Sequence, residues 1–437
     1  MRVSVIGCGY LGAVHSAAMA DLGHEVIAVD VDAEKVATLN AGVPPFFEPG
    51  LPEILSSSLA TGRLTFTTDV SSVSGATLHF ITVGTPQSDA RGAADLRYVD
   101  AAIDALIPFL GPEDVVVGKS TVPVGTAERL AERLLAAGST ATVVWNPEFL
   151  REGFAVKDTL TPDRLVFGVA EGAGRDAALR ALREVYATAI SAGVPVVETD
   201  LATAELVKTA ANAFLATKIS FINAMSEIAE ATGANVSELA DAIGYDTRIG
   251  RRFLNAGVGF GGGCLPKDIR AFSARAEELG LGDSVAFLGE VDAINLRQRQ
   301  RVIDRVISDG GGTDTGLTVA VLGLAFKPHS DDVRDSPALD VALGLVAAGA
   351  TVVAYDPEAM GAAQKRFPEL VVAPNLDQAL LDADIAVLVT EWPEFVQLDP
   401  RRVGDLMAYK RIVDARNVLD PAQWRAEGFH YSSLGRP

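Results

Sequence analysis

Short apolar runs alternate with amphipathic segments between residues 1 and 200 of the chain. Runs rich in β-branched residues predict strands at 3–6, 25–30, 63–67, 77–83, 114–119, 142–146, 164–169 and 194–198. Continuous apolar strands separated by helices are typical of a parallel sheet that is covered on both faces. This part of the chain is therefore predicted to be a Rossmann-like, doubly wound α/β domain.

The pattern changes at Leu201, after which no glycine or proline occurs until Gly233. A helix of about 30 residues would span roughly 45 Å, so we expect it to connect domains. Helical sequence continues to 308, interrupted by the glycine-rich stretch 257–263, and a linker follows at Gly310, Gly311, Gly312 and Thr313.

A second α/β pattern follows the linker. Strands are predicted at 317–322, 351–355, 370–373, 384–390 and 411–414. The predicted fold is α/β, with two Rossmann-like doubly wound domains joined by a long central helix and a helical domain. The predicted domains are 1–200, 201–308 and 309–437.

Charge and cysteine usage restrict the class of protein. A net charge of −20, spread along the chain, disfavours nucleic acid as a partner. The two cysteines, Cys8 and Cys264, stand far apart, and no histidine lies near either at metal-ligand spacing, so we expect reduced thiols and no metal. No signal peptide or membrane-spanning run is visible, which predicts a cytoplasmic protein without membrane contact.

The segment after the first predicted strand matches a dinucleotide fingerprint. Gly7, Gly9 and Gly12 have the spacing of G-x-G-x-x-G, and Asp30 ends the second strand near the position of a ribose-binding carboxylate. Asp30 would repel a 2′-phosphate, which favours NAD over NADP. Lys35 either assists on the adenosine side or is a solvated helix lysine.

A second group of candidates surrounds Cys264. Glycines precede this cysteine, and Pro266 and Lys267 follow it in a segment that suits a helix start. A cysteine at a helix amino-terminus beside a lysine favours a nucleophilic thiolate. The glycine run suggests that the backbone approaches something closely. A flexible turn that carries a buried cysteine is the alternative.

Further polar residues fall at positions where ligands are often bound. Lys208 and Asn212 share one face of the long helix, where the lysine is either an ion-pair partner or a functional cation. Glu148 and Glu152 are either paired carboxylates that handle a proton or part of a solvated face. Thr121 ends a predicted strand and either contacts a ligand or caps a turn.

Lys327 and Arg334 follow the first strand of the last domain, where they suit phosphate or ribose contacts. Aspartates surround both residues in the segment 327–337. An ion-pair network is therefore the alternative.

Taken together, these segments resemble the UDP-glucose/GDP-mannose dehydrogenase family over essentially the whole chain. The resemblance is carried, in order, by the fingerprint at 7–12, Ser-Thr-Val-Pro-Val-Gly-Thr at 120–126, Asn-Pro-Glu-Phe-Leu-Arg-Glu-Gly at 146–153, the helix at 205–212, Gly-Gly-Gly-Cys-Leu-Pro-Lys-Asp at 261–268, Phe-Lys-Pro-His-Ser-Asp-Asp-Val-Arg-Asp-Ser-Pro at 326–337 and Thr-Glu-Trp-Pro-Glu-Phe at 390–395. It implies an NAD-dependent oxidation of a nucleotide sugar in two hydride transfers, with Cys264 as the nucleophile.

The resemblance also implies a role for each matching residue. The catalytic set is Cys264, Lys208, Asn212, Asp268, Thr121 and Glu152. The cofactor contacts are Gly7, Gly9, Tyr10, Leu11, Gly12, Asp30, Lys35, Thr85, Thr121, Glu152, Lys267 and Arg334. The substrate contacts are Glu148, Phe149, Leu150, Glu152, Lys208, Asn212, Arg252, Phe253, Phe260, Gly261 and Lys327.

Substrate and assembly are implied in the same way. The segment 244–254 resembles the UDP-glucose branch more than the GDP-mannose or N-acetylated branches, and the family forms dimers through the long helix. We therefore expect UDP-glucose as the substrate and a homodimer. Another nucleotide sugar, a one-hydride β-hydroxyacid dehydrogenase and a catalytically silent homologue are the alternatives. The complete third domain and the intact Cys264, Lys208, Asn212 and Asp268 disfavour the last two.

Overall fold

The computed structural model describes residues 1–88, 92–312 and 316–437. Its contacts divide the chain into two compact units. The first unit comprises Met1–Ala211 and Ala274–Gly280, and the second comprises Asn212–Ser273 and Leu281–Pro437. The division into three domains at 1–200, 201–308 and 309–437 remains a prediction from the sequence. Thr313, in the predicted linker, lies outside the described residues.

The strands of the described residues form two sheets. They are β1 Arg2–Ile6, β2 Glu25–Val29, β3 Leu64–Thr67, β4 Leu78–Ile81, β5 Val115–Gly118, β6 Thr142–Trp145, β7 Leu165–Val169, β8 Val196–Thr199, β9 Thr318–Leu322, β10 Thr351–Tyr355, β11 Ile385–Leu388, β12 Arg411–Asp414 and β13 His430–Ser433.

Helices connect most of these strands. They are α1 Tyr10–Asp21, α2 Ala33–Asn40, α3 Leu51–Ala60, α4 Arg97–Leu106, α5 Thr126–Ala136, α6 Ala155–Leu160, α7 Arg175–Val185, α8 Ala187–Ser191, α9 Leu201–Thr232, α10 Val236–Gly244, α11 Leu265–Glu278, α12 Phe287–Gly310, α13 Pro337–Ala347, α14 Met360–Arg366, α15 Leu376–Leu380, α16 Pro393–Val396, α17 Pro400–Leu406 and α18 Pro421–Ala426. Short 3₁₀ turns occupy Val70–Val73, Ile107–Phe109 and Gly282–Val285.

The sheet of the first unit has the order β3-β2-β1-β4-β5-β6-β7-β8. Strands β1 to β6 are parallel, whereas β7 and β8 are parallel to each other and β7 runs antiparallel to β6. Strands β1, β4 and β5 are buried on both faces because hydrophobic clusters fill both sides of the sheet. The order 3-2-1-4-5-6 places the switch between β1 and β4, where α/β sheets bind ligands at the carboxyl ends of the strands.

The sheet of the second unit has the order β10-β9-β11-β12-β13, and all its strands are parallel. Its core is a single cluster in which β9 and β11 are fully buried, apart from the first residue of β9. The strand order again reverses direction beside β9, so the segment after β9 lies at a switch point.

The predicted fold class is confirmed: two parallel-sheet, Rossmann-like parts are joined by α9, a helix of 32 residues. Three details of the strand predictions were wrong. β7 is antiparallel to β6, residues 370–373 make an isolated bridge through Val372 instead of a strand, and β13 was not predicted.

No helix among the described residues is long and apolar enough to cross a membrane. Nor does that part of the chain hold a group of three or more His, Cys, Asp or Glu residues that could bind a metal ion.

Candidate active site

The fingerprint glycines form the turn between β1 and α1. Gly7 has φ +96°, and a Cβ built on it would lie 2.7 Å from the side chain of Val83. A Cβ on Gly12 would lie 1.8 Å from the carbonyl oxygen of Gly7. By contrast, apart from Gly9 and its chain neighbours, no atom of the described residues lies within 4 Å of a Cβ built on Gly9. The turn is therefore packed on the protein side and open at Gly9, which fits the close approach of a pyrophosphate to a helix amino-terminus.

Asp30 follows β2 and its carboxylate is fixed at this turn. It accepts the backbone N–H of Cys8 at 2.7 Å and of Asp32 at 3.0 Å, and Lys35 Nζ lies 3.0 Å from Oδ2. Lys35 is thus the ion-pair partner of Asp30. This pairing differs from both predictions for Lys35, which were a contact on the adenosine side or a solvated helix lysine. Burial and the neighbouring Asp30 raise the pKa of the Cys8 thiol, which keeps this cysteine protonated.

Glu48 is a buried residue that the motifs did not reveal. Its carboxylate accepts the hydroxyl of Tyr10 and the backbone N–H groups of Gly153 and Ala155, the last two at 2.6 and 2.7 Å. It thereby ties the first turn of α1 to the loop that contains Glu152. The only sign of this role in the sequence was the position of an acidic residue between two phenylalanines and a Pro-Gly turn.

The loop after β5 carries Thr121. Its carbonyl oxygen accepts the hydroxyl of Thr85 at 2.7 Å. On the far side of the loop, Glu205 of α9 accepts the N–H groups of Gly125 and Ala127 at 2.7 and 2.6 Å, which caps the amino-terminus of α5. Burial raises the pKa of Glu205 to about 7, and the two N–H bonds oppose this shift.

Glu148 and Glu152 lie in the loop between β6 and α6 and are both partly buried, so they are not a solvated face. Lys208 of α9 is buried and pairs with Glu148 at 2.9 Å, while its Nζ lies 5.8 Å from the ring centre of Phe149. The N–H of Leu150 donates to Glu148 at 2.5 Å. The structure therefore brings Lys208 together with Glu148 and Phe149, two of the predicted substrate residues.

Lys119 is a second residue that the sequence analysis missed. It is buried at the end of β5, and its Nζ donates to Asn146 Oδ1 at 2.9 Å and to the hydroxyl of Tyr186 at 3.1 Å. Burial lowers its pKa to about 8, and Glu148 opposes the shift. Lys119 thus holds Asn146, the residue at which the loop with Glu148 begins.

In the second unit, three predicted residues form a hydrogen-bonded cluster. Asp268 is buried and accepts Asn212 Nδ2 at 2.6 Å and Lys267 Nζ at 2.7 Å. Cys264 is exposed immediately before α11, and its carbonyl oxygen accepts the N–H of Asp268 at 2.8 Å. Pro266 lies in the first turn of α11, as predicted. The cysteine is exposed, which rules out the alternative of a buried thiol.

The glycines before Cys264 lie close to other groups of the protein. A Cβ on Gly259, which has φ +99°, would lie 2.3 Å from Asn295 Oδ1. Cβ atoms on the next glycines would meet other protein groups just as closely: for Gly261 the carbonyl oxygen of Asp335 at 2.2 Å, for Gly262 the ring of Phe326 at 2.7 Å, and for Gly263 the guanidinium of Arg334 at 2.5 Å. The close approach that the glycine run predicted is therefore made by protein groups.

The remaining predicted residues of this unit differ in exposure. Arg334 is largely exposed and pairs with Asp332 at 2.7 Å, and Lys327 Nζ lies 5.3 Å from the ring of Phe326. Arg252 and Phe253 are exposed, the latter with φ +65°, whereas Phe260 and Gly261 are buried.

The candidate residues thus form two groups, one in each unit. The turn at 7–12, Asp30, Thr121 and the Glu148–Lys208 pair lie in the first unit. Cys264, the Asn212–Asp268–Lys267 cluster and the 327–334 segment lie in the second.

Comparison with known proteins shows which family has this order of domains. Models of one family match three consecutive parts of the chain: the NAD binding domain matches residues 1–190, the central domain residues 202–297 and the UDP binding domain residues 320–421. The chain belongs to the UDP-glucose/GDP-mannose dehydrogenase family. Its fingerprint turn and Asp30 therefore lie in the family's NAD binding domain, and Cys264 lies in the central domain.

Individual relatives agree over the full length. A UDP-glucose 6-dehydrogenase of Rhizobium meliloti (strain 1021) is 44% identical, with 100% of both chains covered. The structure of a UDP-glucose dehydrogenase from Pyrobaculum islandicum is 37% identical with a TM-score of 0.88 and covers 100% of this chain and 98% of that one. A UDP-D-ManNAc dehydrogenase from Pyrococcus horikoshii is 28% identical with a TM-score of 0.85 and covers 100% and 99%.

Proposed function

We propose that this protein oxidises UDP-glucose to UDP-glucuronate with NAD as the electron acceptor. The observation that carries the proposal is the exposed Cys264 at the start of α11, beside the Asn212–Asp268–Lys267 cluster. A one-step alcohol oxidation needs no nucleophile, whereas oxidation to an acid is aided by a thiol that holds the aldehyde. Relatives named UDP-glucose 6-dehydrogenase support the substrate.

In this proposal, bound NAD would supply the hydride acceptor for each oxidation at C6 of the sugar. The residues that would hold it include the turn at Gly7, Gly9, Tyr10, Leu11 and Gly12, together with Asp30. Lys35, Thr85, Thr121, Glu152, Lys267 and Arg334 complete the proposed set. The ionised Asp30 would accept bonds from the ribose hydroxyls and repel a 2′-phosphate.

The cysteine acts between the two oxidations. After the first hydride leaves C6 and a proton leaves the hydroxyl oxygen, the Cys264 sulfur, which gives up its own proton, bonds to the aldehyde carbon and the carbonyl π-electrons move to oxygen. Lys208 stabilises this oxyanion, with Asn212 assisting. Loss of a second hydride from C6 gives a thioester. Water then adds to that carbon, the C–S bond breaks, and the acid and the thiol are released.

Proton transfer and substrate binding are assigned to neighbouring groups. Thr121, Glu152 and Asp268 position water or relay protons. Glu148, Phe149, Leu150, Arg252, Phe253, Phe260, Gly261 and Lys327 contact the nucleotide sugar. Loss of the Lys208–Glu148 ion pair would therefore affect both oxyanion stabilisation and substrate binding.

The specificity is tested by comparing kcat/KM for UDP-glucose, GDP-mannose and UDP-N-acetylmannosamine at saturating NAD. The related structures show that the same fold serves different sugars, so turnover must decide. We expect UDP-glucose to exceed the others by at least roughly a hundredfold, the discrimination expected of a site that pairs polar sugar groups. Preference for another sugar would change the substrate and keep the chemistry. NADH formation from none of them would support a silent homologue.

We also propose a homodimer formed through α9. Phe214, Phe221 and Ile228 lie two helical turns apart and are 67%, 48% and 55% exposed, so they form one apolar stripe on this helix. Burial of such a stripe against its symmetry-related copy would remove apolar surface from water. The cytoplasmic location remains a prediction from the sequence, namely from the two unpaired cysteines and from the lack of a visible signal peptide or membrane-spanning run.

A further inference from the structure

The segment that leads to Cys264 is held by a side chain of α12 with no predicted role. Asn295 is fully buried; its Oδ1 accepts the N–H of Phe260 at 2.7 Å and its Nδ2 donates to the Phe260 carbonyl at 2.9 Å. Both backbone groups of Phe260 are thus paired with one carboxamide. The fit is close, because Gly259 must lack a side chain for the amide to reach this position.

Arg299 lies one turn further along α12 and holds the same carbonyl. It donates to the Phe260 oxygen at 3.1 Å and to Asp335 Oδ1 at 3.1 Å, and it also pairs with Asp340. Its side chain is only 5% exposed. The guanidinium therefore connects the segment before Cys264 to the segment that carries Arg334.

The segment after Cys264 is tied to the same group. Arg270 of α11 donates to Asp335 Oδ2 at 3.0 Å and to Asp292 of α12 at 2.9 Å. Asp335 is thereby shared between Arg299 and Arg270. The chain is anchored to α12 on both sides of Cys264, by Phe260 before it and by Arg270 after it.

We propose that Asn295 and Arg299 are positioning residues for Cys264. They act through the backbone of Phe260, by which they hold the thiol at the amino-terminus of α11. A displacement of about 1 Å in a reacting group can cost up to roughly a hundredfold in rate. The inference rests on the proposed function, since it takes Cys264 as the nucleophile.

The test compares two pairs of matched variants on α12. Asn295→Asp removes the donor to the Phe260 carbonyl and sets a carboxylate against it. Its control, Gln300→Glu, makes the same amide-to-acid change at an exposed position. Arg299→Lys keeps the charge but cannot reach Phe260 and Asp335 together. Its control is Arg305→Lys, which alters a partly exposed ion pair with Glu230.

The first readout is the rate constant for reaction of the native thiol with a chromogenic disulfide reagent. Cys264 is exposed and Cys8 is buried, so the native reaction reports Cys264 and the total after denaturation reports both. We expect Asn295→Asp and Arg299→Lys to slow this reaction by roughly fivefold or more, since a thiol at a helix amino-terminus is more reactive than a displaced one. The controls should stay within about twofold of the native protein.

The second readout is the split between kcat and KM. Both positioning variants should lower kcat roughly tenfold or more and change KM for NAD little. Folded variants, judged by circular dichroism, that keep the thiol rate and the kcat of their controls would overturn the inference. Arg299→Lys carries the test if Asn295→Asp does not fold. Absence of NADH formation by the native protein would reject the proposed function alone, because the thiol rates would still decide the positioning role.

Discussion

At the residue scale, the cofactor preference depends on one carboxylate. Asp30→Asn removes the negative charge and leaves the Lys35 ammonium without its ion-pair partner carboxylate, which favours a 2′-phosphate. We expect the NAD-to-NADP ratio of kcat/KM to fall roughly 10- to 100-fold, since a hydrogen bond to a charged group contributes about 1.5–3 kcal/mol. Steady-state kinetics with both cofactors measure this ratio.

The matched control is Asp32→Asn, which changes the exposed N-cap of α2 two residues away. It should leave the cofactor ratio unchanged. An equal change in both variants would mean that the ratio reports the local charge of the segment and not a ribose contact of Asp30.

Cys264 is the proposed nucleophile. Cys264→Ser replaces the thiol with a much weaker nucleophile, so formation of the acid should slow by 10³-fold or more, on the order of other losses of a catalytic nucleophile. Chromatography of the sugar products measures it. Ser273→Ala, on α11, is the control. Normal production of the acid by Cys264→Ser would remove the nucleophile assignment.

The candidate site residues were proposed from motifs, but the residues that hold them in place could not be predicted from the sequence. Glu48 and Asn295 make their contacts with backbone groups far away in the sequence, and no local spacing encodes such pairs. The glycine run 257–263 predicted that the backbone approaches another group closely, but only the structure shows that this group belongs to the protein.

At the element scale, Glu205 joins α9 to the start of α5. Glu205→Gln leaves one of two buried N–H groups without an acceptor, so we expect the free energy of unfolding to fall by about 1–3 kcal/mol at pH 6. Burial raises the pKa of Glu205 to about 7. The native carboxyl therefore contributes its full stabilisation at pH values below its ordinary pKa. This contribution is lost as the pH rises through the folded-state pKa of about 7.

The difference between Glu205→Gln and the native protein should consequently be smaller at pH 8 than at pH 6. Urea denaturation at both pH values measures it. Glu132→Gln, a change at an exposed position of α5 that does not contribute to the raised pKa of Glu205, should show no such pH dependence. A loss that is larger at pH 8 would mean that the carboxylate is favoured in the folded protein.

The strands show where the sequence pattern was sufficient. Apolar β-branched runs identified β1 to β7 because these strands are mostly buried, and β8 was identified although its residues are half-buried or exposed. By contrast, β13, His-Tyr-Ser-Ser, has few apolar residues and lies at a sheet edge. Residues 370–373 have a strand-like composition but pair only through Val372, and Pro374, which lacks a backbone N–H, follows them. The antiparallel direction of β7 depends on a chain reversal that side-chain patterns do not encode.

At the scale of the whole molecule, the proposed dimer depends on the apolar stripe of α9. Phe221→Glu places a charge at the centre of that stripe and should convert a two-chain species to a single chain, because burial of an unpaired charge is costly. Light scattering with size-exclusion chromatography measures the mass.

Tyr409→Glu is the control, since it puts the same charge on an exposed aromatic position outside α9. It should leave the mass unchanged. A native protein with the mass of one chain, or a Phe221→Glu variant that keeps the native mass of two chains, would contradict the proposed interface.

The proposed oxidation of UDP-glucose through Cys264 removes four electrons from the sugar. It is tested most directly by the yield of NADH from a limiting amount of UDP-glucose with NAD in excess, followed to completion by absorbance. We expect two NADH for each UDP-glucose, because the alcohol and the Cys264-bound aldehyde each lose one hydride. A yield of one NADH with the aldehyde as the final product would contradict it.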